Sequence, residues 1–162
     1  MHSEVSATGR QRQWPIENFG KLGNIIREKY NLQVLIASSS KGRGEAEELN
    51  SLLGNQAGLL IGVPLLTLFV IAGKARIVVT NNTGFMHLAV ASGAVVIGLH
   101  GPTSSVKWGP WGKRAASIKS RMPCSPCLYL GFEYGCKTDK CMRQIHVDEV
   151  LMQVEKALGV NI

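Results

Sequence analysis

The chain lacks any apolar run of the roughly 18–20 residues that a bilayer-spanning helix requires. Its longest candidate, residues 58–72, is interrupted by Gly62 and Pro64. The start carries no basic-then-apolar leader pattern, so a cytoplasmic protein is the expectation. Aromatic residues make up 6% of the chain and are not interleaved with the basic ones. That spacing argues against a stacking platform for single-stranded nucleic acid, and no nucleic-acid partner is expected. There is no Ser-His-Asp set and no paired carboxylate. Lys41, in Ser40-Lys41-Gly42-Arg43-Gly44, lacks the glycine frame of a P-loop. Internal repeats and low-complexity segments are also missing.

What is present is a chain of 162 residues, enough for one domain with its own core. Its formal charge of +7 suits an anionic partner and equally an ordinary solubilising surface. The apolar pattern alternates strand with helix. Met1 to Thr8 reads as a short strand whose Val5 to Thr8 part is weak, followed by a polar turn and a helix opened by Trp14-Pro15. Strands are expected at Leu32 to Ala37, Ala57 to Ile61, Ile77 to Thr80, Ala94 to Leu99 and Ala115 to Lys119. Helices are expected at Glu45 to Leu53, Pro64 to Gly73 (where Val, Ile and Phe make a strand the rival), Thr83 to Ser92 and Val147 to Leu158. Repeated strand-then-helix units imply right-handed crossovers and an α/β, Rossmann-like parallel sheet with helices on both faces.

The candidate site follows from that alternation. Val78-Val79-Thr80-Asn81-Asn82-Thr83-Gly84-Phe85-Met86-His87 is a strand feeding directly into a helix N-terminus. Free backbone N–H groups and the positive dipole end attract anions there. The next strand ends at Gly101-Pro102-Thr103, and two such turns at adjacent strand ends form the usual phosphate crevice of an open α/β sheet. Thr83 offers a hydroxyl, Gly84 allows close backbone approach, and His87 follows one turn on. Thr8 and Arg12 fall on the loop after the first expected strand, and a guanidinium fork suits diphosphate oxygens. Glu45 opens a helix at the same edge and is the candidate for a ribose hydroxyl, although acids at helix starts are also favoured by the dipole alone.

Cys124, Cys127, Cys136 and Cys141 form C-x2-C-x8-C-x4-C. A structural zinc, disulfides and thiols all fit this spacing; four thiolates on zinc would leave no open catalytic position.

Together with Trp14-Pro15, Thr83-Gly84-Phe85-Met86-His87-Leu88-Ala89, Gly101-Pro102-Thr103, Trp108-Gly109-Pro110, Cys124-Ser125-Pro126-Cys127 and Cys141-Met142-Arg143-Gln144-Ile145, the chain resembles family 9 glycosyltransferases, the ADP-heptose:lipopolysaccharide heptosyltransferases. The resemblance implies one half of a GT-B fold. Residues 1–162 would be its C-terminal nucleotide-sugar-binding domain, with the N-terminal acceptor domain and its catalytic base absent from the chain. It implies an ADP-sugar donor whose diphosphate lies at Thr83, Gly84 and His87 with further contacts from Thr8 and Arg12, Glu45 and Asn82 completing the candidate set, and transfer of heptose or a related sugar to lipopolysaccharide core through the absent domain. No cofactor would be required, cations and helix N-termini stabilising the departing diphosphate in place of a metal. The chain alone would transfer no sugar, and peripheral contact with the inner face of the inner membrane is a further expectation. Arg12 stands where the family often has lysine, Asn82 where it usually has aspartate, and His100 where it tends to have phenylalanine. The alternatives are a zinc-stabilised basic binding module and a non-catalytic nucleotide-binding protein.

Overall fold

The computed structural model describes residues 1–5, 7–128 and 138–160, apart from the side chains of Ala7 and Thr8. Five strands alternate with helices: β1 (Leu35–Ser38), β2 (Gly58–Ile61), β3 (Val78–Asn81), β4 (Val96–His100) and β5 (Ala115–Lys119). The main helices are α1 (Ile16–Tyr30), α2 (Arg43–Leu52), α3 (Leu65–Lys74), α4 (Gly84–Ala91) and α7 (Val147–Leu158). Two one-turn helices, α5 (Ser105–Trp108) and α6 (Lys140–Arg143), complete the described elements.

β1 pairs with β2, and β3, β4 and β5 pair in that order, all in parallel. Residues 1–3 fill the gap between the two groups. The His2 N–H donates to the Val79 carbonyl at 3.1 Å, and the Ala37 N–H donates to the Met1 carbonyl at 2.9 Å. The Met1 amine donates to the Leu35 carbonyl at 2.5 Å, and His2 forms a parallel bridge with Thr80. The spatial order is therefore β2, β1, residues 1–3, β3, β4, β5, which is the Rossmann order with its direction reversing beside residues 1–3.

This corrects the expected first strand. It lies at residues 1–3 and does not extend through Val5 to Thr8, and Ala7–Arg12 forms a 3-10 helix instead. Neither His2 nor Ser3 is apolar, so strand character there comes from pairing on both sides and not from local pattern. The other expected elements occur with shifts of a few residues, and β5 and α7 at the expected bounds.

Every residue of β4 is buried, and β3 likewise, as parallel strands covered on both faces require. Their side chains alternate between two cores. Val79, Ile97 and Leu99 join Trp14, Phe19, Leu22 and Val150 beneath α1, α2 and α7. Val78 and Val96 join Ala72, Met86 and Ala89 beneath α3 and α4 on the opposite face. α1 ends on Asn31 in the left-handed region (φ 52°), and α7 ends on Gly159 (φ 75°).

Trp14 ties the parts together. It is fully buried, its indole N–H donates to the Ile145 carbonyl at 2.8 Å, and its backbone N–H donates to Asn81 Oδ1 at 2.9 Å. The other end of that Asn81 amide donates to the Ser3 carbonyl at 2.6 Å. One buried asparagine at the end of β3 thus fixes both the first strand and the entry to α1.

Candidate anion-binding site at the switch point of the sheet

An open cavity of about 660 Å³ lies at the carboxyl ends of the strands where the strand order reverses. Its walls come from His2, Glu4, Arg12, Ser38 to Ser40, Gly62 and Thr83 to Phe85. In an open parallel sheet this is where connections diverge to opposite faces and leave a crevice.

The α4 wall has the chemistry of an anion cradle. Thr83 precedes the helix with extended backbone (φ −144°, ψ 171°), yet its hydroxyl does not cap the helix. Thr83 Oγ1 is buried and has no partner. A buried hydroxyl without a hydrogen bond costs about 1–3 kcal/mol, so a ligand oxygen there would recover that energy. A Cβ built on Gly84 would meet nothing within 4 Å, so the first N–H groups of α4 can be approached closely.

Arg12, in the last turn of the 3-10 helix, lines the same cavity. Desolvation pushes it below its ordinary value, and it remains a cation at neutral pH. An anion beside it would offset that desolvation.

The opposite wall was not legible in the sequence. The Glu4 carboxylate accepts from Ser38 Oγ at 3.0 Å, from the Ser39 N–H at 2.6 Å and from Ser39 Oγ at 2.5 Å. Burial opposes its charge, but the hydrogen bonds from Ser39 and Ser38 outweigh that and hold it below the ordinary carboxylate value. A Cβ on Gly42 would lie 2.6 Å from the Glu4 carboxyl carbon and 2.4 Å from Ser38 Oγ, so the close approach depends on glycine. The one available signal was the run of serines directly after an apolar strand. His2 stacks on Phe85 with ring centroids 4.6 Å apart, and desolvation lowers its pKa to about 4.

Other expected site residues are placed elsewhere. Asn82 does not line the cavity. It is buried, and its amide donates to His100 Nδ1 at 2.9 Å, to Thr103 Oγ1 at 3.2 Å and to the Trp108 carbonyl at 3.3 Å. Thr103 of the Gly101-Pro102-Thr103 turn is buried in the same network, which braces the start of α4 from behind. His100 is fully buried, and desolvation, with the nearby His87 charge second, lowers its pKa to about 4. His87 is exposed on α4 and is not part of the cavity wall.

The structure does not bring Glu45 to this cavity. It lines a separate cleft of about 470 Å³ with Glu17, Glu48, Asp139 and Arg143, because the first turn of α2 faces the Trp14-Pro15 bend. The Thr8 side chain lies outside the described residues. Of the four cysteines, Cys124, Cys127 and Cys141 line a cavity of about 200 Å³ beside Pro102 and Lys140, while Cys136 lies outside the described residues. Among the described residues no three His, Cys, Asp or Glu side chains are grouped to hold a metal ion, so a tetrahedral set would need Cys136.

Fold and cavity together define a Rossmann-like domain with a candidate anion-binding helix start at its switch point. Residues 4–140 match glycosyltransferase family 9 (heptosyltransferase), and the chain belongs to that family. It is 22% identical over 156 residues to lipooligosaccharide heptosyltransferase 2 of Campylobacter jejuni, covering 91% of this chain and 48% of that protein. It is similar in fold to the E. coli ADP-heptose lps heptosyltransferase II (TM-score 0.78, 22% identity, 97% of this chain and 45% of that one). The E. coli heptosyltransferase WaaC with ADP is a second structural neighbour (TM-score 0.72, 18% identity, 96% and 42%). The chain spans about half the length of the curated relatives it matches. No helix among the described residues is long and apolar enough to cross a membrane.

Proposed function

We propose that this chain is the donor-binding domain of a heptosyltransferase, holding the diphosphate of an ADP-sugar at the start of α4. The observation that carries the reading is the buried, unpartnered hydroxyl of Thr83, a residue that lines one cavity together with Arg12. A diphosphate bridging them would accept from Thr83 and from the first N–H groups of α4 while pairing with the guanidinium. The same groups would stabilise the charge that builds on the diphosphate as the sugar departs. The sugar acceptor, lipopolysaccharide core, would be bound by polypeptide beyond these residues, as the length of the family relatives suggests. A neighbour solved with ADP supports the choice of nucleotide.

Calorimetric titration with ADP, UDP and GDP tests this. Saturable ADP binding is expected, weakened about tenfold or more by Thr83→Val and by Arg12→Gln, each removing a hydrogen bond to a charged group. Absence of ADP binding at millimolar nucleotide by a folded protein would overturn the reading.

A structural zinc on Cys124, Cys127, Cys136 and Cys141 belongs to the same proposal on the strength of the C-x2-C-x8-C-x4-C spacing; Cys124, Cys127 and Cys141 border one small cavity without being grouped to hold an ion. Elemental analysis should then find about one zinc per chain, and chelation should lower the melting temperature. A metal-free protein whose melting is unaffected by chelator removes zinc from the account.

A further inference from the structure

Behind the start of α4 lies a buried polar knot outside the cavity wall. Asn82, His100 and Thr103 are all buried, and each comes from a different stretch of chain. Asn82 joins β3 to Thr83, His100 closes β4, and Thr103 lies in the turn that follows. Asn82 is also tied along the sheet, its N–H donating to the Leu99 carbonyl at 3.2 Å. The Thr103 end is clamped as well, because the Pro102 carbonyl accepts from the Cys127 and Leu128 N–H groups at 2.9 and 2.8 Å.

One arrangement of protons satisfies this knot. The Trp108 carbonyl, 3.3 Å from the Asn82 amide nitrogen, is an acceptor only, so the amide presents its NH2 there and not its oxygen. The same nitrogen lies 2.9 Å from His100 Nδ1 and 3.2 Å from Thr103 Oγ1. Its second proton therefore goes to a bare Nδ1, and the ring carries its own proton on Nε2. A proton on Nδ1 would instead set two N–H groups against each other. His100 Nε2 is buried without a partner. This tautomer is thus held against a desolvation penalty, and what it gains is the bond to Asn82.

The ring also meets α4 from below. A Cβ on Gly98 would lie 2.6 Å from Met86 Sδ and 3.2 Å from His100 Nε2, so sulfur and ring share the space over that glycine. Met86 is fully buried in the first turn of α4, its N–H donating to the Thr83 carbonyl at 3.1 Å.

We propose that His100 is a positioning residue for the anion cradle, a role that rests on the donor-site reading above. As acceptor for the Asn82 amide, it fixes where Thr83 and the first N–H groups of α4 stand. The ring itself touches no ligand, being fully buried and outside the cavity wall. Its leverage comes from geometry, since a displacement of about 1 Å can forfeit about a hundredfold in a well-oriented site.

Three variants separate positioning from packing. His100→Phe keeps a ring and deletes the acceptor, so ADP affinity should fall about tenfold. His100→Asn loses the ring but returns an acceptor near the place of Nδ1. Its affinity should stay within about threefold of the parent although it melts lower. Asn82→Leu should lose as much as His100→Phe, and the two together no more than either, as one shared contact requires. Packing alone predicts the reverse order, with the asparagine variant the weaker binder.

Calorimetry with ADP and with inorganic pyrophosphate gives the affinities, and nitrogen NMR shifts of the His100 ring give its tautomer. Backbone relaxation of residues 83–86 in the ligand-free chain gives the order of the α4 start. That order should drop in His100→Phe and return in His100→Asn. A parent chain that binds neither ADP nor pyrophosphate overturns the donor reading, while relaxation still decides the role of His100. A ring proton on Nδ1, parent-like binding and order in His100→Phe, or affinities that follow melting temperature across the set would each overturn the proposal.

Discussion

Trp14→Ala is expected to lower the unfolding free energy by about 3–5 kcal/mol, a large part of the total for a domain of this size. The side chain is fully buried, edge-on to Phe19 at 4.9 Å, and sits in the core beneath α1 and α7. Truncation would leave a cavity and orphan the Ile145 carbonyl, which now accepts from the indole at 2.8 Å. Trp14→Phe keeps most of the volume and loses the hydrogen bond, so about 1–2 kcal/mol is expected. Urea unfolding followed by far-ultraviolet circular dichroism measures both. A loss below about 1 kcal/mol for the alanine variant would mean that the core tolerates removal of its largest member.

Acid should unfold this domain through two histidines. His2 and His100 are both depressed from 6.5 to about 4, in each case chiefly by desolvation. Well above pH 6.5 both are neutral in the folded and unfolded chain, and their contribution to stability is fully present. As the pH falls, the unfolded chain takes up protons that the folded chain refuses. Each histidine then removes about 1.4 kcal/mol per pH unit, several kcal/mol for the pair by pH 4. Glu4, held below its ordinary value, adds to the loss only at more acid pH. Denaturation midpoints between pH 7 and pH 4 should fall steadily, the buried Met1 amine, lowered by desolvation to about 5, adding to the loss, and His100→Phe should make the slope shallower. A flat profile down to pH 4.5 would contradict the burial of both rings as charged-state penalties.

The sequence made the alternation legible because each covered element carries its period openly. β1 ends a short, almost wholly apolar run, Leu32 to Ala37, and α7 places Val150, Leu151, Val154 and Leu158 on one side. Thr83-Gly84 was legible for a local reason, a strand ending at a helix start. What was hidden depends on distant partners. Met1 to Ser3 have no strand pattern; Met1 pairs with Leu35 and Ala37, His2 with Val79, and the Ser3 carbonyl takes the Asn81 amide. Glu4 enters the cavity wall because Ser38 and Ser39, thirty-four and thirty-five positions away, hold it. Asn82 and Asn81 look alike in sequence, yet one amide serves His100 and Thr103 and the other serves Trp14 and Ser3. Glu45 has the helix-start position that suggests a ligand contact, but the packing of α2 on α1 turns it to another cleft.

Within the plane of the sheet, the two walls of the cavity belong to separate pairings joined through residues 1–3. Ser38 and Gly62 follow one set of strands, and Thr83 and Gly84 follow the other. A molecule that touches both walls therefore acts as a cross-brace over this narrow seam. Its binding energy is communicated to the hydrogen bonds of His2 and Ala37, so occupancy of the cavity and cohesion of the sheet rise together by mass action.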